Sequence, residues 1–201
     1  MPRKLTKAFY QQPDVVALSR DLLGKRLVTQ VGGVITAGTI VETEAYSGAI
    51  DRACHAYPYK RTPRTEIFFQ PGGLAYVYLC YGIHHLFNII THTADEPDAI
   101  LIRAIEPIEG IEVMLGRRNM TKPEYRLTAG PGSLSKALGI TTALNGVDLT
   151  EDTVWLEDAG IQYQEDEIIA SPRVGIDYAG ADALLPWRFR VKDNPWTSKA
   201  K

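Results

Sequence analysis

The chain has 201 residues, 45% of them apolar and 23% charged, which suits a globular protein of one domain, or at most two small ones, with a sizeable core. Two cysteines in unrelated contexts, Cys54 and Cys80, exclude a disulfide scaffold. No apolar run is long enough to cross a membrane, and the opening Met1-Pro2-Arg3-Lys4 leads into Thr6, Lys7 and Gln11 rather than an apolar leader, so a reducing cytoplasm is the expected compartment. A net charge of −2 and a pI near 6.1 speak against a surface that is basic overall, but Lys60, Arg61 and Arg64 cluster apart from the acidic run Glu165-Asp166-Glu167, so a local basic face remains.

In chain order, Asp14 caps a helix that carries Val15, Val16, Leu18, Leu22 and Leu23 and stops at Gly24. Leu27 to Val31 reads as a strand, Gly32-Gly33 as a hairpin turn, and Val34 to Tyr46 as a long return strand. Ser47 to Pro71 is irregular, polar and rich in arginine and proline, and a connection of that length inside a domain is commonly functional or disordered. Three apolar, β-branched or aromatic runs follow as strands: Leu74 to Cys80, Ile83 to Thr91 and Ala99 to Ile105. Glu106-Pro107 leads into a short helix through Ile111, Met114 and Leu115. Gly130-Pro131-Gly132-Ser133 opens another helix that ends near Gly139, and Asn145-Gly146 is a turn. Further strands are expected at Thr153 to Leu156, Glu167 to Val174 and Trp187 to Val191. Strands dominate and helices are segregated between them, so the expected class is α+β, in a single domain over residues 1–201.

The most informative stretch is Thr39-Ile40-Val41-Glu42-Thr43-Glu44-Ala45-Tyr46. Alternation on a strand places Glu42, Glu44 and Tyr46 on one face. On pattern alone a solvated sheet face is the more ordinary reading. The other is a general acid or base beside an aromatic, with burial raising the carboxyl pKa. Tyr76 and Tyr78 share a strand face, which is usually packing. Tyr81 stands just before Gly82 at an expected strand end, where a large ring is expected to be exposed; an exposed ring at a tight turn can act as a wedge between bases, a weak signal on its own. Asn88, in an apolar strand, needs hydrogen-bond partners, most simply backbone. Arg103, also in an apolar run, needs a counter-charge, for which Glu42 and Glu44 are the candidates. His84, His85, His92 and Cys54 match no standard zinc spacing. Neither a phosphate-cradling glycine loop nor a dinucleotide fingerprint is present, so no metal or cofactor is expected.

Taken together and in order, Val41-Glu42-Thr43-Glu44-Ala45-Tyr46, His55, Thr62-Pro63-Arg64, Tyr76-Val77-Tyr78, Tyr81-Gly82 and Asn88 resemble the alkyladenine (methylpurine) DNA glycosylase family. So do Leu101-Ile102-Arg103-Ala104-Ile105-Glu106-Pro107, Gly130-Pro131 and Asn194-Pro195-Trp196. The resemblance runs from about Leu5 to Trp196. It implies a curved, mostly antiparallel sheet with surrounding helices, and an enzyme of base excision repair that acts on double-stranded DNA with damaged purines and needs no obligate protein partner. In a bacterium such an enzyme works at the nucleoid, in a eukaryote in the nucleus. The resemblance further implies Glu44 as catalytic base, with Arg103 helping to hold the attacking water. Tyr46, His55 and Tyr78 then form the pocket around a flipped base, Asn88 screens out normal guanine, and Tyr81 fills the gap left in the duplex. The chain departs from the better-known members at Tyr57-Pro58-Tyr59, at His84-His85 and in a slightly longer Thr91 to Asp98 segment, positions that bear on lesion range and DNA contacts rather than on the catalytic pair.

A base inside a duplex has to be rotated out before a side chain can reach it. Breaking the glycosidic bond builds positive charge on the sugar, which a carboxylate stabilises while taking a proton from water. No lysine stands in these motifs to form a Schiff base, so a monofunctional enzyme is expected. Lys60, Arg61 and Arg64 are the candidate phosphate contacts, with a solvated charged loop as the equal alternative, and Arg117, Arg118 and Lys136 are weaker candidates. Two alternatives stay open on the residues themselves: a non-catalytic lesion-binding module, which needs the aromatic slot but not Glu44 with Arg103, and a hydrolase of a small sugar or nucleoside, which needs neither Tyr81 nor the basic loop.

Overall fold

A computed structural model describes residues 2–199; Met1, at the head of the N-terminal segment, lies outside them. Helix α1 spans Lys7–Tyr10, α2 Val15–Asp21, α3 Ile111–Arg118 and α4 Pro131–Leu138. The strands are β1 (Arg3–Lys4), β2 (Arg26–Val31), β3 (Val34–Ser47), β4 (Leu74–Cys80), β5 (His84–Thr91), β6 (Asp98–Glu109), β7 (Val154–Asp158), β8 (Ile168–Ser171) and β9 (Arg188–Val191). All join one sheet in the order β1-β7-β2-β3-β6-β5-β4, with β9 added to β3 and β8 to β9. Every strand pairing is antiparallel.

Local chemistry sets the element ends. The Asp14 carboxylate accepts the Val16 and Ala17 amides, both at 2.9 Å, supplying two of the donors that a helix start leaves unpaired. Gly32 and Gly33 both have positive φ (65° and 77°), the geometry of the two-residue hairpin turn that lets β2 and β3 twist together. Strand β6 runs on to Glu109, so Glu106-Pro107 lies in the sheet rather than leading into a helix. Pro107 pairs with Gly38 where the register slips, and an irregular ladder tolerates its missing N–H. The helix begins only after Gly110. The expected strand at Glu167 to Val174 is confined to Ile168–Ser171, because Glu165–Glu167 forms a 3-10 turn closed by reciprocal capping between Gln164 and Glu167. Strand β1, helix α1 and the 3-10 segment Asp177–Leu184 carry too few residues, or too little periodicity, to have been read from sequence.

Period-two alternation divides the sheet into two faces. Val41, Ala45, Val77, Phe87, Ile89, Ile100 and Ile102 point to the helix side and pack with Leu18, Leu22, Met114, Leu134 and Leu138 in the main core. Tyr76, Ile90 and Ala99 point the other way, against Cys54, Ala56, Phe68 and Phe69 of the long connection between β3 and β4. That connection is a chain of hydrogen-bonded turns (Cys54 N to Asp51 O, Tyr59 N to Gly48 O, Phe68 N to Thr65 O), ending in a 3-10 turn at Glu66–Phe69. It covers the second face and leaves a hollow beside it. Among the described residues, no helix is long and apolar enough to cross a membrane.

Strand β3 organises this hollow. Its first half pairs with β2 and its later residues Glu42 to Glu44 pair with β9 along the same edge, while β6 follows the other edge. Against β6, Val41 is an extra residue between Ile40 and Glu42, and Arg103 is an extra residue between Ala104 and Ile102. Two adjacent bulges, one on each strand, bend the sheet and re-aim the side chains next to them.

Candidate functional site

The carboxylates of the long strand are not on a solvated face. Glu42 and Glu44 are both fully buried, because β9, the 173–176 segment and the C-terminal residues close over that part of the sheet. The bulge turns Arg103 between them. Its Nε donates to Glu42 Oε1 at 2.9 Å, and its Nη1 lies 3.3 Å from Glu44 Oε1. Burial works against this guanidinium, but Glu44 and Glu42 more than offset it and raise its pKa.

The two glutamates are used differently. Glu42 accepts from Arg103 Nε, from Arg188 Nε at 2.7 Å, and from the Ser198 hydroxyl and amide at 2.8 and 2.6 Å. Three of these donors converge on Oε1 and one on Oε2, which makes Glu42 a structural clamp between β6, β9 and the C-terminal segment. Glu44 accepts the Val174 amide at 2.9 Å on Oε1, beside Arg103, and the Tyr46 hydroxyl at 2.7 Å on Oε2. Burial first, then the Glu44 charge and this hydrogen bond, push the Tyr46 phenol well above its usual range, so it stays a donor.

In front of this pair lies a cavity of about 580 Å³, lined among others by Tyr46, His55, Tyr78, Asn88 and Arg103. Tyr76 and Tyr78 stack with centroids 5.4 Å apart, and His55 meets Tyr78 edge-on at 4.8 Å. The His55 Nδ1 is 3.0 Å from the Tyr76 hydroxyl. Burial, then the charge of Arg64, lower His55 to about 4, so the wall it forms is neutral at neutral pH. Asn88 donates its amide to Tyr76 O at 3.2 Å and to Leu86 O at 3.4 Å, which accounts for its burial and fixes how it faces the cavity. At the mouth, Tyr81 is 88% exposed on a tight turn: Tyr81 and Gly82 have φ of 50° and 72°, and the Ile83 amide donates to Cys80 O.

The residues singled out in the sequence are thus gathered in one place, with exceptions. Lys60 and Arg61 lie outside the cavity. Lys60 is exposed, and Arg61 pairs with Glu66 and Asp95 and covers the Phe69 ring. Arg64 turns inward, over the Tyr78 ring. Arg117 and Arg118 reach back to the Ala137 and Leu127 carbonyls. His84 lines the cavity, His85 accepts the Thr142 amide and His92 the Thr93 amide. Among the described residues no three histidine, cysteine or acidic side chains come together as metal ligands.

Sequence reasoning missed a second wall. Val174, Gly175, Ile176 and Tyr178 line the cavity, held by the buried pair of Arg173 with Asp51, in which Arg173 Nη2 donates to Asp51 Oδ1 at 2.8 Å. Arg173 also donates to Ala45 O at 2.8 Å and lies 4.7 Å from the Tyr46 ring centroid. Its partner is 122 residues away in sequence, and no local pattern signals a pairing at that distance.

A family description, methylpurine-DNA glycosylase (MPG), matches residues 8–195. A protein of Alkaliphilus oremlandii named "Putative 3-methyladenine DNA glycosylase" is 46% identical over 98% of this chain and 99% of its own length. Proteins of the same name from Chlamydia felis and Bacillus cereus are 45% and 46% identical over 92% and 96% of this chain, and over 94% and 97% of their own lengths. With the curved antiparallel sheet and the aromatic cavity above its buried carboxylate, the chain belongs to the methylpurine-DNA glycosylase family, hydrolases of N-glycosyl bonds in the repair of alkylated DNA.

Proposed function

We propose that the cavity receives a purine flipped out of duplex DNA and that Glu44 activates the water that releases it. The observation that supports this reading is the unequal use of the two glutamates. Glu42 accepts four structural donors, whereas Glu44 accepts only the Val174 amide and the Tyr46 hydroxyl and pairs with Arg103, and those three residues all line the cavity. A water there gives its proton to the carboxylate while the charge of Glu44 stabilises the developing cation on the sugar. The product is an intact abasic site, since among the described residues no lysine lines the cavity to form a Schiff base.

The base lies among Tyr46, His55 and Tyr78. Electron-rich tyrosine faces favour a cationic methylated purine over a neutral one by about 0.5–2 kcal/mol, a weak preference that leaves deaminated and etheno purines within range. Asn88 adds a steric and polar check against normal guanine. Tyr81 occupies the vacated stack and lowers the cost of flipping. Lys60 and Arg61 contact phosphates on the approach side.

The experiment is base release from duplexes carrying a single hypoxanthine or ethenoadenine, and from alkylated DNA, by the wild type and by Glu44→Gln. Release by the wild type without strand scission, and its loss in the variant with lesion binding kept, is the expected result. Undiminished release by Glu44→Gln would remove Glu44 from the mechanism.

A further inference from the structure

The mechanism above assigns no part to Arg64, although its guanidinium is engaged on three sides. Arg64 Nε donates to the Tyr76 hydroxyl at 3.1 Å, Nη2 lies 3.4 Å from His55 Nδ1, and the guanidinium carbon is 5.0 Å from the Tyr78 ring centroid. The Tyr76 hydroxyl is itself 3.0 Å from the same His55 nitrogen. One cation therefore touches three rings of the cavity wall.

A guanidinium only donates. A proton on His55 Nδ1 would face the Nη2–H of Arg64 donor to donor, so that nitrogen is bare. The Tyr76 oxygen receives the Arg64 Nε–H and gives its own proton to Nδ1. The neutral imidazole then carries its proton on Nε2. We infer that Arg64 is a specificity-determining positioning residue, which holds His55 as the neutral Nε2–H tautomer and sets a fixed positive charge beside the base. The inference rests on the reading of the cavity as a flipped-base pocket.

Two consequences follow for the substrate. A neutral purine that presents a ring or exocyclic acceptor meets a donor on His55. A cationic methylated purine meets a like charge, which opposes the attraction of the tyrosine faces. The groups around His55 agree with its neutral state. Tyr76 and Tyr78 of β4 are uncharged phenols whose pKa values burial raises. Tyr178, which lines the same cavity from the Asp177–Leu184 segment, is shifted the same way by the same cause. Of the cations on the long connection, Arg64 is the one that meets His55, and the nearby acid Asp51 is taken up by Arg173. No carboxylate among these groups is left to favour an imidazolium.

The test has two readouts. Nitrogen-15 NMR of His55 in the free protein is expected to show a bare Nδ1, a protonated Nε2 and a titration near 4. In Arg64→Met the titration moves up toward the ordinary 6.5 and the tautomers mix. Single-turnover release is then compared between 7-methylguanine and hypoxanthine. The ratio of cationic to neutral base released rises about threefold to tenfold in Arg64→Met, the modest size of an effect from a solvent-screened charge, while Arg64→Lys keeps the wild-type ratio. A wild-type Nδ1–H tautomer would overturn the inference. So would an Arg64→Met variant with unchanged titration and unchanged ratio whose only change is a shallower salt dependence of DNA binding, the mark of a plain phosphate contact. Failure of the wild type to release any base would instead defeat the proposed function, and the NMR readout would still decide whether Arg64 holds His55.

Discussion

The Tyr46 hydroxyl stands 2.7 Å from Oε2 of Glu44, two residues back on the same strand face, so the residue that walls the cavity also orients the carboxylate beneath it. Removing that hydroxyl separates the two roles. Tyr46→Phe keeps the ring but leaves a buried carboxylate oxygen short of a donor, at a cost of about 1–3 kcal/mol. Urea unfolding is expected to show that loss, and single-turnover base release to fall roughly tenfold for want of an oriented carboxylate. Equal stability of the variant and the wild type would show that the hydrogen bond contributes nothing in solution.

Glu42 and Glu44 are expected to fail in different ways. Glu42→Gln removes the charge that Arg103 and Arg188 share in the interior, and breaking such a buried pair costs about 3–5 kcal/mol. Its signature is a lowered urea midpoint, with base release lost as a consequence of unfolding. Glu44→Gln is expected to stay folded at moderate cost and lose about 10²–10⁴-fold in rate, the range of a general base. A Glu42→Gln protein as stable as the wild type would refute the clamp.

His55 makes stability fall with acid. Its folded value is lowered from 6.5 to about 4, so above 6.5 the folded and unfolded chains both hold it neutral and its contribution is full. As pH drops from 6.5 toward 4, the unfolded chain binds a proton that the folded chain refuses, and stability is lost; below about 4 the loss levels off. The full loss is up to about 3 kcal/mol. Urea unfolding at pH 7 and pH 5 is expected to differ less in His55→Gln than in the wild type, and an equal difference in both would place the pH dependence on other groups.

Tyr81 contributes little to the fold, being almost wholly exposed. Tyr81→Asn suits the turn, because asparagine tolerates the left-handed backbone that Tyr81 adopts (φ 50°) better than most residues do. Its melting temperature is expected to match or exceed that of the wild type. Release from a lesion in duplex DNA falls about tenfold or more, as expected if the side chain holds open the stack at a cost of a few kcal/mol, while release from single strands changes little. An equal loss on both substrates would show that Tyr81 acts on something other than the duplex.

Much of the fold was legible because it is written locally. The Asp14 cap, the Gly32-Gly33 turn and the alternation in β4 and β5 each depend on residues a few positions apart, and the structure follows them. The same alternation placed Glu42, Glu44 and Tyr46 together on one face of β3. It did not say whether that face meets water, because burial depends on what is laid over it. The solvated reading, the more ordinary one on pattern, failed for that reason.

By itself, then, the sequence determined the longer elements, their faces and the inventory of aromatic and charged groups, since dihedral preference, capping and period-two alternation act over a few residues. Only the tertiary structure decided which of those groups meet. The paired bulges at Val41 and Arg103 turn the arginine between two carboxylates. The exchange of β2 for β9 along β3, with Ser198 behind it, buries those carboxylates and ties Glu42 to Arg188 and Ser198. The Asp51–Arg173 pair draws a distant segment across to set the Val174 amide on Glu44. Each of these is a contact between residues far apart in sequence, whose strength comes from exclusion of water by the packed chain, a property that no stretch of residues carries alone.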